Sequence, residues 1–119
     1  MKNLSSKRAK ACAISPKVKR KVAERDSIDG QPCCIICGSP DGLPEAHYIP
    51  RSKGGLGIEQ NIVTLCRHCH RLYDQGTAEQ RETIGDMIRG YLKSQYINWK
   101  EEDLIYRKWD FKNEHKPND

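Results

Sequence analysis

The chain has 119 residues, enough for one small core and too few for two. Only 36% of them are hydrophobic, 31% are charged and a single Phe is present. Apolar burial alone then leaves a thin core, and six cysteines are the obvious supplement. No apolar run approaches the ~18 residues of a membrane span, and Met1-Lys-Asn-Leu-Ser-Ser-Lys-Arg has no apolar signal core. Neither membrane insertion nor secretion is expected, so the cysteines read as metal thiolates before disulfides.

The net charge of +5 is unevenly placed. Residues 1–25 hold nine Lys and Arg, from Lys2 to Arg25, against Glu24, which gives them +8 and leaves −3 for the other 94 residues. A basic block beside a near-neutral body suits a polyanion, although a solvated tail has the same composition.

In chain order, residues 1–14 read as irregular. Ser15-Pro16 opens a short helix with Ser as cap and Pro at its first position. Val18 and Val22 form its narrow apolar edge, and Lys17, Lys19, Arg20 and Lys21 are its cationic face. Residues 26–32, with Asp29-Gly30 and Pro32, read as a breaker, and 33–43 as a tight loop. Glu45–Ile49 and Asn61–Leu65 are the expected strands, joined through a flexible Gly54-Gly55-Leu56-Gly57. A short helix follows from Arg67 to Asp74 and stops at Gly76. Thr77-Ala-Glu-Gln80 is a capping box, and Ile84, Met87, Ile88, Tyr91 and Leu92 are the apolar face of the helix it opens. Asn98 is expected to cap a last helix through Leu104, Ile105 and Trp109, before a polar tail from His115. Tyr91, Leu92, Tyr96 and Trp99 read as core in preference to contact surface.

Two C-x-x-C pairs, Cys34-Ile-Ile-Cys37 and Cys66-Arg-His-Cys69, are the strongest chemical signal. Two residues between thiolates let one turn present both sulfurs to a single tetrahedral ion, and two such pairs close a structural four-cysteine site. Zinc is the expected ion, with iron in the same sulfur cage as the alternative. Gly38 suits the left-handed turn of such a knuckle. Cys33 competes with Cys34 as a C-x-x-x-C partner of Cys37, but the two-residue spacing favours Cys34. Cys12 receives no role, and His68, between the second pair, reads as exposed.

Between and beside the cysteines stand Pro44-Glu-Ala-His47-Tyr-Ile-Pro50-Arg-Ser-Lys-Gly-Gly55, then Asn61-Ile-Val-Thr-Leu-Cys66-Arg-His-Cys69-His70 and Arg71-Leu-Tyr-Asp74. Over about residues 33–76 this resembles an HNH endonuclease of the type with a four-cysteine zinc site, common in bacteriophage and bacterial proteins. The resemblance implies a small α+β chain with a ββα-metal, treble-clef-like zinc fold and flanking helices. It divides the chain into a basic arm and helix (1–32), the HNH core (33–76) and C-terminal helices with a polar tail (77–119). It also implies a cytoplasmic protein of a bacterium or a phage-infected host, with DNA as partner and phosphodiester hydrolysis as reaction.

Carried over by position, His47 resembles the general base, Asn61 the residue that holds loop and base in place, and His70 a ligand of a catalytic ion. Asp74 lies one helical turn after His70, on the same face, and is the second expected ligand. The position before His47, where many family members carry Asp or His, is Ala46. These residue types suit the chemistry: a neutral imidazole deprotonates water near pH 7, and imidazole with carboxylate suits Mg2+ or Mn2+. Arg51 and Lys53, just beyond His47, are expected phosphate contacts. A zinc-stabilised DNA-binding module without cleavage is the alternative. No oligomer interface is legible in the sequence.

Overall fold

The structure, a computed structural model, describes residues 6–107; Lys2, Trp109 and the tail from His115 lie outside them. The first departure from expectation is a helix, α1 (Lys7–Cys12), inside the stretch read as irregular. Ser6 Oγ accepts from Ala9 N at 3.0 Å, and Lys, Arg and Ala are all good helix formers. Six residues do not hold a helix in water. Docking holds this one, since Cys12 at its end is 2% exposed.

Helix α2 (Pro16–Arg25) starts as expected, with Ser15 Oγ accepting from Val18 N, and it buries Val22 completely. The breaker segment is a small hairpin, β1 (Ser27–Ile28) paired with β2 (Gln31–Pro32). Asp29 and Gly30 both take positive φ, 53° and 82°; Asp-Gly is a favoured pair for such a two-residue turn.

Strands β3 (Leu43–His47) and β4 (Ile62–Leu65) pair antiparallel, with Ala46 opposite Val63 and His47 opposite Ile62. Strand β3 ends two residues before the expected boundary because the Asn61 side chain, not a strand, takes the N–H and C=O of Ile49. The glycine-rich connection is packed, not flexible. Arg51–Lys53 form a 3-10 turn closed by Gly54 at φ 84°, and a Cβ at Gly55 would overlap the Ile49 carbonyl.

Helix α3 (Arg67–Gln75) ends at Gly76. Helix α4 (Ala78–Gln95) opens with the complete Thr77–Gln80 capping box. Its Ile84, Ile88 and Leu92 are buried, whereas Met87 is 47% exposed and off the expected face. Among the described residues no α-helix follows Asn98, which takes φ 63°, a turn conformation Asn tolerates. The chain makes a 3-10 turn at Glu101–Leu104, and Ile105 bridges back to Gly55.

One core joins the cysteine-bearing segments to α4: Cys34, Ala46, Val63, Leu65, Cys66 and Cys69 cluster with Ile84, Ile88 and Leu92. Tyr91, Tyr96 and Trp99 pack partly buried against it, on the core side as expected. A polar tie runs beside this cluster. Arg25 Nε donates to Asp26 at 2.7 Å, and its two terminal nitrogens donate to the Glu59 carbonyl, Tyr96 Oη and the Ile62 carbonyl. Asp26 also accepts from Thr64 N at 2.9 Å and from Tyr91 Oη. Burial opposes the charge on Arg25, but the bond and charge of Asp26 outweigh it and raise its pKa. Arg25, counted with the basic arm in the sequence, is therefore an internal residue that ties α2 to β4 and α4. No helix among the described residues is long and apolar enough to cross a membrane.

Candidate active site and metal centre

The turn after Cys34 and the start of α3 bring Cys34, Cys37, Cys66 and Cys69 together, with all four sulfurs within 4.8 Å of one another. Cys37 Sγ and Cys66 Sγ are 3.7 Å apart. A tetrahedral ion with ~2.3 Å bonds to sulfur has edges of about 3.8 Å, so the spacing fits a tetrahedral thiolate centre. Gly38 has φ 81°, as the knuckle requires. Cys33 stays outside: its thiol points to the Gln31 carbonyl at 3.2 Å.

The electrostatics of the cluster also favour a cation. At Cys34 burial opposes ionisation, but backbone N–H groups of Cys37, Cys66 and Ile36 outweigh it and bring the thiol down to about 7. Cys69 is pushed the other way, by burial and by the sulfurs of Cys66 and Cys34. Four thiols this close resist ionising together, and a divalent ion removes that conflict.

His47, at the end of β3, is half-buried, and its Nε2 lies 2.9 Å from the carbonyl oxygen of Cys12. A carbonyl only accepts, so Nε2 carries the hydrogen and Nδ1 keeps the lone pair. Burial lowers the His47 pKa below 6.5; the Cys12 bond opposes this, and the charges of Arg51 and His70 add to it. The net shift favours the neutral ring.

Asn61 is fully buried. Its Oδ1 accepts from Ile49 N at 2.9 Å, and Nδ2 donates to the carbonyls of Ile49 at 3.1 Å and Leu56 at 2.8 Å. All these bonds fasten the loop that begins two residues after His47. His70 and Asp74 share a shallow open cavity on α3, of about 180 Å3, with Arg67, Arg71 and Gln75. Among the described residues, the cysteines are the one group of three or more metal-ligating side chains close enough to hold an ion. Asp74 therefore stands with His70 alone. Ala46 is 1% exposed and packs in the core.

The expected phosphate contacts divide. Lys19 lies 3.5 Å from Glu45 and Lys21 lies 3.6 Å from Glu59, whereas Lys17, Arg20, Arg51 and Lys53 are exposed or half-exposed and have no acid partner among the described residues. Two cations escaped the sequence reading. Arg67 and Arg71 are exposed, lie one helical turn apart and flank His70 in its cavity. Their i, i+4 spacing around a candidate ligand was the available signal.

Residues 34–75 match the profile of the family described as HNH endonuclease. This segment resembles an HNH domain. A relative named Anaredoxin, from Nostoc sp. (strain PCC 7120), is 39% identical over 44 residues, 36% of this chain. The matched stretch spans 58% of that protein's own length. No solved structure matches the chain. The HNH match takes in all four cysteines of the cluster.

Proposed function

We propose that this chain is a metal-dependent HNH endonuclease that hydrolyses DNA phosphodiester bonds. The observation that carries the reading is a half-buried His47 whose Nε2 is held 2.9 Å from the Cys12 carbonyl oxygen, within the segment that matches the HNH endonuclease profile. In this reading β3, β4 and α3 are the ββα-metal unit and Cys34, Cys37, Cys66 and Cys69 hold structural zinc. Residues 1–32 form the basic arm, 33–76 carry the chemistry and 77–119 support it.

His47 Nδ1 takes a proton from water, and the resulting hydroxide adds to phosphorus. The P–O bond to the leaving oxygen then breaks, and that oxygen takes a proton from solvent. Asn61 is a positioning residue: no polar atom of its amide is left without a backbone partner. A Mg2+ or Mn2+ ion held by His70 and Asp74 would supply Lewis-acid stabilisation of the charge on the phosphate oxygens. Arg67, Arg71, Arg51 and Lys53 offer cations for the phosphates on either side of the cut.

Plasmid nicking with Mg2+ or Mn2+ tests this. The zinc-loaded chain is expected to nick, and His47→Ala to bind DNA equally but cut at least ~100-fold more slowly. A parent chain that binds DNA and nicks with no divalent ion refutes the metal requirement. One that nicks under no condition is the zinc-stabilised binding module instead.

A further inference from the structure

The HNH segment begins at residue 34, yet the atom that orients His47 lies outside it, at the end of α1. The last carbonyls of a helix have no partner within it. In α1 two of them are taken from the HNH loop: Gly57 N donates to Ala11 O at 3.0 Å, and His47 Nε2 donates to Cys12 O at 2.9 Å. The other end of α1 reaches the same loop. Arg8 Nη2 donates to the carbonyls of Arg51 and Ser52, both at 3.2 Å. A Cβ at Gly57 would overlap the Ala13 carbonyl oxygen and come within 2.9 Å of Cys12 O, so the close approach of the two backbones requires glycine. Cys12 is buried beneath them.

We propose that residues 6–13 are a positioning element of the active site, a buttress in which Arg8 and Gly57 seat the Cys12 carbonyl so that it fixes the orientation and tautomer of His47. This rests on the reading of His47 as the general base. Without the carbonyl the imidazole is free to rotate and to carry its hydrogen on either nitrogen. A base offering a protonated nitrogen to water accepts no proton, and a displacement of about 1 Å costs on the order of 100-fold in rate. The HNH domain of this chain is therefore incomplete without α1. The arm read from its composition as a phosphate handle has a second, catalytic use.

The test compares the full-length, zinc-loaded chain with Gly57→Ala and Arg8→Ala. Gly57 does not sit at positive φ, so alanine there is not strained by its backbone, and its methyl group strikes the buttress directly. Two readouts are taken above pH 7: the kcat and KM of nicking, and the His47 tautomer from 15N NMR of the labelled imidazoles. The parent is expected to show a single tautomer with hydrogen on Nε2. Gly57→Ala should show a mixture of both tautomers and a kcat lower by roughly 100-fold, with KM within about threefold. Arg8→Ala removes an exposed side chain, leaves the core intact and lowers kcat by about threefold to tenfold. It decides the matter if Gly57→Ala does not fold. Folded variants that keep the parent's tautomer and kcat overturn the proposal. A parent that never nicks refutes the nuclease reading, and the tautomer comparison then still decides whether the buttress holds His47.

Discussion

Asn61→Asp tests the centre of this site with the smallest change in shape. In the parent the side-chain oxygen accepts one backbone hydrogen and the nitrogen donates to two carbonyls, at 3.1 and 2.8 Å, in a site with no solvent exposure. A carboxylate in the same place keeps the first bond and turns an oxygen toward both carbonyls. Ionised, it is a buried charge without a partner, a defect of about 3–5 kcal/mol. Protonated, it donates to one carbonyl, so the loss shrinks to one bond and one unpaired carbonyl, about 1–3 kcal/mol. The variant's carboxyl pKa is thus raised in the folded state above its unfolded value near 3.9. A raised pKa contributes stability below the unfolded pKa that is lost as pH rises toward the folded one. The gap to the parent should therefore widen from about pH 4 to about pH 6, by no more than ~1.4 kcal/mol per pH unit and about 2 kcal/mol in all. Thermal or urea unfolding of both zinc-loaded proteins across that range measures it. A difference under ~1 kcal/mol that does not change with pH would refute the placement of Asn61 as the buried clamp of the loop.

Two further outcomes follow from the site. Cys34→Ser should lose bound zinc and most of its cooperative unfolding, because the cluster is part of the core it shares with α4; stoichiometric zinc with an unchanged Tm, measured by metal analysis and calorimetry, would contradict the four-cysteine centre. In DNA binding measured against salt, Arg67→Ala and Arg71→Ala should each lower the slope of log K on log salt by about one, while Lys19→Ala and Lys21→Ala change it less because Glu45 and Glu59 already face those ammonium groups; the opposite ranking would return the phosphate grip to α2.

What the sequence disclosed, and what it withheld, separates by distance along the chain. The paired cysteines, the Ser15 and Thr77 caps and the stop at Gly76 are set by neighbours within four residues, and each is where its spacing put it. The Asp29-Gly30 hairpin is equally local, since Asp-Gly marks a turn that reverses the chain as well as a break. Helix α1 was hidden for a different reason. Its composition is that of a solvated tail, and the contacts that order it come from residues 51–57, more than 40 residues away. The glycines of that loop looked like flexibility because a sequence shows a missing side chain but not the backbone that occupies its space.

Charge shows the same limit, with consequences for function. Summed along the chain, residues 1–25 are a +8 handle. In the fold Arg25 is tied to Asp26, Arg8 is bonded to two carbonyls of the HNH loop, and Lys19 and Lys21 face carboxylates. Exposed cations without such partners remain at Lys17 and Arg20 and stand also at Arg67 and Arg71, beside His70. A phosphate is drawn by the local field, which falls off within ~10 Å in physiological salt, and not by the sum over a segment. Arg8, Lys19, Lys21 and Arg25 thus spend their charge inside the fold, and the short helix that carries His70 and Asp74 adds two exposed cations that the sum over residues 1–25 leaves out.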